Sequence, residues 1–167
     1  MTPAYYTSVE KSAATIYRTG EVNVQNDWVR WDTGYRLPIE AEWEYAVRGG
    51  AEGHRYPWND TDAFYSSRAN CNSSGTTPLG SFAANGFRLF DMAGNVWEWV
   101  WDWYGAAYYS GSPESDPRGP ASGSSRVKRG GSWDYGAFRC RVALRGAGSP
   151  GGSYFDFGFR AVLPSGQ

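Results

Sequence analysis

The stretch VWEWVWDW, Val96 to Trp103, limits this chain more than any other, because indoles alternate strictly with valine and acidic residues. A period of two is that of a strand. It places Trp97, Trp99, Trp101 and Trp103 on one face and Val96, Glu98, Val100 and Asp102 on the other. Aromatic residues make up 17% of the chain, nine of them Trp, which is too aromatic for a disordered segment. Gly and Pro, 22 and nine in number, punctuate the rest with turns. We therefore expect an α+β fold with short antiparallel strands, few helices and much ordered loop.

A length of 167 residues suits a single domain, residues 1–167, with a real core. One helix is expected in RLPIEAEWEYAVRGG. Pro38 sits where a helix can start, Glu40 and Glu42 complement the positive end of its dipole, and Gly49-Gly50 stop it. Ile39, Trp43, Ala46 and Val47 share its apolar face. ATIYRTG reads as a short strand ending in a turn. Further strands are expected around Arg126–Trp133, Ala137–Arg145 and Phe157–Leu163. Residues Arg55 to Phe87 read as an ordered loop pinned by Tyr56, Trp58, Phe64, Tyr65 and Phe82.

A net charge of −1 supplies no global field for nucleic acid or anionic lipid. No apolar run approaches the ~20 residues of a membrane helix, so no direct insertion is expected. Met1 to Tyr6 lacks a basic region followed by an apolar stretch. The expected address is the cell interior, or the cell surface where a leader has been removed. Cys71 and Cys140 either pair or remain two free, buried thiols.

Little classical catalytic machinery is available. His54 is the only histidine, so Ser-His-Asp, Cys-His and multi-histidine metal sites lack parts. Gly130-Gly131 lack the lysine and helix start of a phosphate loop, and no nucleotide is expected. Glu42 and Glu44 lie on a charged helix, where capping and solvation account for them. The richest polar cluster is DMAGNVWEW. Asp91 and Glu98 are hard oxygen donors, and the turn Ala93-Gly94-Asn95 between them can aim carbonyls inward, as calcium requires. The competing reading is a turn with Glu98 paired to an arginine. Trp58-Asn59-Asp60 matches a calcium-lectin strand, but the Glu-Pro-Asn or Gln-Pro-Asp loop of such lectins is absent.

Taken in order, GYRLPIEAEWEYAVRGG, RYPWND, ANGFRLFDMAGNVWEWVWDWY, RVKRGGSW and GFRAVLP resemble the formylglycine-generating enzyme (sulfatase-modifying factor) family, from about Gly34 to Pro164. The resemblance implies a C-type-lectin-like fold and a reduced N-terminal segment. It also implies a structural calcium held by the side chains of Asp91 and Glu98 and the carbonyls of Gly94 and Val96. A second calcium site of the family would begin at Asn70 and the Cys71 carbonyl, but the loop Asn72 to Pro78 lacks its later ligands. The family's enzymes bind copper through two cysteines that would fall between Trp133 and Arg145. Only Cys140 is there, and Ala137 stands nearest the second catalytic position. Iron-dependent relatives need several histidines. Neither copper nor iron, and no catalysis, is expected.

RGGSW and GFR enclose an irregular segment that resembles the variable proteins of diversity-generating retroelements, in which error-prone reverse transcription rewrites adenines. The fixed studs of that grammar are Ala137, Cys140–Ala143, Arg145 and Pro150. The variable positions are Asp134, Tyr135, Gly136, Phe138, Arg139, Leu144, Gly146, Ala147, Gly148, Ser149, Gly151, Gly152, Ser153, Tyr154, Phe155, Asp156 and Phe157. Randomising the first two bases of an Asn codon cannot produce Lys, Glu, Gln, Met or Trp, and none occurs from Asp134 to Phe157. Tyr and Phe here offer rigid contact area, and Ser and Asp adaptable hydrogen bonds, as in antibody paratopes.

The resemblance implies a ligand-binding display protein meeting a protein or another cell-surface molecule. The glycines from Gly146 to Gly152 suggest a shallow or open centre, and Arg141, Arg145 and Arg160 are expected to be scaffold, paired with Glu98 or Asp102. Two other readings stay open, a formylglycine-generating oxidase and a calcium-dependent lectin-like module.

Overall fold

A computed structural model describes residues 2–20, 23–59 and 65–164. The indole-rich stretch forms strand β1, Trp97–Trp103. β2, Arg126–Arg129, runs antiparallel to it, with Glu98 opposite Arg129 and Trp99 opposite Lys128. The register then slips, so that Trp103 meets Arg126. β3, Gly146–Gly148, lies antiparallel on the outer side of β2, and β4, Phe157–Phe159, runs parallel to β1 on its other side. The order is β3-β2-β1-β4. Strand pairing on both sides and packing on both faces make β1 the centre of the molecule.

Helix α1, Glu40–Arg48, covers the face of β1 that carries Val100 and Asp102. Its start is satisfied twice: the Ile39 N–H donates to Glu42 Oε2 at 2.9 Å and the Glu40 N–H to Asp102 Oδ2 at 2.7 Å. Its end is set by Gly49, whose φ of 59° is left-handed and costs glycine nothing. Trp43 and Val47 pack with Met92, Val100, Val127 and Val142 in one core cluster. Each buried aliphatic side chain there stabilises the fold by about 1.5–3 kcal/mol. On the opposite face Trp101 packs with Val24, Val29 and Ile39, and Tyr5 stacks on it at 5.5 Å.

Ion pairs hold the helix against its surroundings. Arg145 Nε and Nη2 donate to the two oxygens of Glu40, both at 2.7 Å, and Arg129 Nε lies 3.3 Å from Glu40 Oε1. Arg36 holds Glu42 through two contacts of 2.7 Å.

Several expected strands are shorter or absent. ATIYRTG forms a 3-10 turn at Ala13–Thr15 and one isolated bridge, Ile16 with Tyr6. Ala137–Arg145 is not a strand: Ala137–Cys140 is a 3-10 turn, because Ala137, Cys140 and Val142 all turn inward and period-two alternation cannot do that. Beyond β2 and β4 the remaining residues of their expected ranges are irregular, apart from a bridge between Val162 and Arg36. Arg55 to Phe87 is loop where it is described, apart from a 3-10 turn at Tyr65–Ser67, with Tyr56 stacked on Trp58 at 4.9 Å. Asp60 and Phe64 lie outside the described residues. No helix among the described residues is long and apolar enough to cross a membrane.

Candidate ligand-binding surface

The frame of the irregular segment is held by backbone conformation as much as by side chains. Gly130 and Gly131 have φ of 93° and 77°, a pair of left-handed residues that a side chain would strain. They turn the chain out of β2 so that Ser132 points inward and Trp133 continues along the loop edge. The Trp133 N–H donates to the Asn95 carbonyl at 2.9 Å, and the Asn72 and Ser73 N–H groups donate to the Tyr135 and Trp133 carbonyls, also at 2.9 Å. At the other end the Trp97 N–H donates to the Asp156 carbonyl at 2.8 Å and β4 pairs with β1.

Between these anchors the side chains sort by direction. Ala137, Cys140 and Val142 are buried. Asp134, Tyr135, Phe138, Arg139, Ala147, Ser149, Gly151, Ser153, Tyr154 and Phe155 are exposed, and Gly136, Leu144, Gly146, Gly148, Gly152 and Phe157 are half-buried. Asp156 departs from the expected set of contact residues. It is 5% exposed and accepts a hydrogen bond from Ser132 Oγ at 2.9 Å, so its side chain ties the two brackets together from below. Arg141 and Ala143, expected as studs, are exposed. Arg141 is partly accounted for, since its Nε donates to the Phe138 carbonyl at 2.9 Å. Arg160 pairs with Glu98, one of the two expected acids, whereas Arg145 pairs with Glu40 rather than with Glu98 or Asp102.

The exposed rings form an aromatic tract in which each rests on a more buried ring. Tyr135 meets Trp97 edge-on at 6.1 Å, Phe155 tilts against Trp133 at 5.6 Å, and Tyr154 lies 4.4 Å from Phe157. Arg139 sits over both Tyr135 and Phe138. The glycine-rich centre is floored rather than open. A Cβ on Gly148 would lie 2.5 Å from Trp99, and one on Gly146 would lie 2.8 Å from Lys128. The Lys128 ammonium stands 4.6 Å from the Trp97 ring centre and 3.9 Å from that of Phe157. Sequence reasoning missed Lys128, Trp97 and Trp99 as the floor beneath this surface. Their signal was the alternation of β1 and its pairing with RVKR, which puts all three on the face beneath the irregular segment.

Beside this tract an apolar cavity of 450 Å³ is lined by Tyr35, Leu37, Trp99, Trp101, Pro150 and Phe159, among others. A second cavity, of 370 Å³, is lined by Asp91, Gly94, Val96 and Glu98 together with Arg160. The four residues expected to hold calcium are therefore neighbours. Glu98 is engaged: Arg160 donates to both of its oxygens and Trp43 Nε1 to Oε2 at 2.6 Å. Asp91 has one oxygen accepting from the Gly80 N–H at 2.7 Å, while Oδ1 is buried without a hydrogen-bond partner. Asn70, where the second site would begin, spends its side chain on Gly75, Asn95 and Ser73. Of the residues around the expected catalytic positions, Ala137 is buried, and Cys140 is buried against Cys71.

A four-stranded mixed sheet, one helix and long ordered loops make this an α+β domain with the C-type-lectin-like fold of formylglycine-generating enzymes. Residues 6–164 match the sulfatase-modifying factor enzyme 1-like domain, and the chain belongs to that family. It is 43% identical to the formylglycine-generating enzyme of Streptomyces coelicolor over 153 residues, covering 81% of this chain and 48% of the enzyme. It is 46% identical over 131 residues to a serine/threonine-protein kinase of Chlamydia caviae, covering 77% of this chain and 21% of that protein. Among solved structures it is similar to Treponema denticola variable protein 1, with a TM-score of 0.80 and 37% identity, covering 97% of this chain and 63% of that one. The chain thus spans about half the length of the curated enzyme. The likeness to a variable protein read from RGGSW and GFR is shared by the three-dimensional structure.

Proposed function

We propose that this chain is a non-catalytic display domain whose surface between Asp134 and Phe157 is diversified by retroelement mutagenesis and binds a protein partner or another cell-surface molecule. One observation carries the reading. Three of the fixed studs, Ala137, Cys140 and Val142, point into the core, with Arg141 and Ala143 exposed, while the variable positions other than Asp156 are exposed or half-buried. A rigid frame with outward changeable positions lets side chains vary at little cost to folding. Tyr135, Phe138, Tyr154 and Phe155 are the anchors, since exposed rings on a fixed backbone lose little entropy on binding.

Sequencing the gene's neighbourhood tests this. The expected result is a reverse-transcriptase gene and a near-identical, adenine-rich copy of the segment encoding Arg129 to Arg160. Absence of both sinks the proposal.

The identity with formylglycine-generating enzymes favours one competing reading, a copper-dependent oxidase. Against it stands Cys140, whose thiol is buried and engaged with Cys71, with no second cysteine at Ala137. Copper(I) titration separates the two, since tight one-to-one binding that depends on Cys140 supports the oxidase.

The proposal includes a structural calcium held by Asp91, Gly94, Val96 and Glu98. Support comes from the shared cavity and from the unpaired Oδ1 of Asp91, a buried oxygen that a cation would satisfy. The ion would tie the turn at Gly94 to β1, next to the loop that supports Trp133.

A further inference from the structure

The two cysteines of the chain are far apart in sequence and meet in the fold. Cys71 follows Asn70, whose backbone bridges to Gly94, and Cys140 closes the 3-10 turn in the middle of the irregular segment. They are 4% and 2% exposed, in a small cluster with Ala69 and Ala93. Both thiols are free in this structure and pack in the same buried cluster.

Two glycines close over the pair. A Cβ on Gly94 would lie 3.0 Å from Cys71 Sγ, and one on Gly131 would lie 2.8 Å from Cys140 Sγ. Neither glycine is a variable position. The flanking segments are already joined by the hydrogen bonds from Asn72 and Ser73 to Tyr135 and Trp133.

We propose that Cys71 and Cys140 form a disulfide when the chain folds under oxidising conditions, cross-linking the Asn70 loop to the floor of the irregular segment. The bond joins fixed residues only, so it serves whatever side chains stand between the brackets, and it does not depend on the proposed function. The oxidant is a low-molecular-weight disulfide such as oxidised glutathione. One cysteine thiolate attacks its S–S bond and releases one glutathione thiol, and the other cysteine displaces the second from the mixed disulfide. Two protein S–H bonds and the reagent's S–S bond break, the Cys71–Cys140 bond forms, and two protons and two electrons leave on two glutathione molecules.

The neighbouring Cys71 thiol and burial together push the Cys140 thiol well above its ordinary range. Thiolate is the attacking species, so the folded dithiol exchanges slowly. The redox state is therefore set while the chain folds. A bond closing a loop of about 70 residues constrains the unfolded chain strongly and raises Tm by about 5–10 °C.

The test refolds the full chain from denaturant in glutathione redox buffer or in dithiothreitol, then labels it with iodoacetamide under denaturing conditions. The expected product of oxidative refolding is lighter by two hydrogens, takes no label, and melts about 5–10 °C above the reduced protein. Cys71→Ser and Cys140→Ser should each abolish that difference. Cys71→Ala and Cys140→Val serve in their place where the serine variants fail to fold. Two labels per chain, a stable glutathione adduct, or an unchanged Tm after oxidative refolding overturns the proposal. Oxidation of already folded protein as fast as during refolding overturns the order of events.

Discussion

Arg160 grips both carboxylate oxygens of Glu98, Nε to Oε2 at 2.6 Å and Nη2 to Oε1 at 2.5 Å, and so locks the right-hand bracket of the irregular segment onto the central strand. The same guanidinium reaches the carbonyls of Phe90 and Asp91 at 3.3 Å. Glu98 is 6% exposed and also accepts from Trp43 on the helix. One carboxylate thus joins the GFR bracket, β1 and α1.

Removing Arg160 leaves a buried carboxylate with Trp43 as its remaining side-chain donor among the described residues. Arg160→Ala should therefore cost about 3–5 kcal/mol, and Arg160→Lys less, because an ammonium satisfies one oxygen at a time. Urea unfolding measures both. A cost below about 1 kcal/mol for the alanine variant shows that the pair is solvated and does not anchor the bracket.

Calcium at the neighbouring cavity makes a separate prediction. Adding calcium to metal-free protein should raise Tm, chelator should reverse the rise, and Asp91→Ala should remove the response. A cation there must share Glu98 with Arg160, so Arg160→Ala should retain the response even while it lowers overall stability. Insensitivity of the wild-type protein to both calcium and chelator rules out the site.

Phe155 and Asp156 are adjacent in sequence and opposite in role. Phe155 is 74% exposed and Asp156 is 5% exposed. Phe155→Ala, like Phe138→Ala and Tyr154→Ala, should change stability by no more than about 1 kcal/mol. Asp156→Ala removes the acceptor of the buried Ser132 hydroxyl and should cost about 1–3 kcal/mol. Chemical denaturation of the four variants decides it, and equal effects at Phe155 and Asp156 would mean the segment has no inside and outside.

That contrast shows where sequence pattern suffices. The alternation of VWEWVWDW located β1, and the spacing of Ile39, Trp43 and Val47 between Pro38 and Gly49 located α1, because each element is bounded by local chemistry. The irregular segment obeys no period, and its inward positions follow from distant partners: Cys140 from Cys71, Asp156 from Ser132, and Arg145 from Glu40. β3 carries only Gly-Ala-Gly and no strand signal, and it exists because β2 offers an edge beside it. For the same reason Asp156 read as a contact residue. Its grammar position is variable, and only the fold reveals the hydroxyl beneath it. At Glu98 the sequence left a metal ligand and an arginine partner as alternatives. The structure supplies the arginine and leaves the unpaired oxygen on Asp91.

Asp102 carries the last prediction. It is 0% exposed, and its Oδ2 accepts the Glu40 N–H at the start of α1. Burial pushes its carboxyl from 3.8 up to about 7, the Glu40 N–H opposes that rise, and the Glu40 carboxylate adds to it. Between those values the folded chain binds a proton that the unfolded chain releases. Asp102 therefore adds stability as pH falls from about 7 towards 4, and its burial penalty is full above 7. Asp102→Asn keeps an acceptor for the Glu40 N–H and removes the titration. Relative to this variant, the wild-type protein should gain stability between pH 8 and pH 5, by at most about 3 kcal/mol. Urea unfolding of both proteins at the two pH values measures the gain. An unchanged difference between them means that Asp102 titrates alike in the folded and unfolded chain.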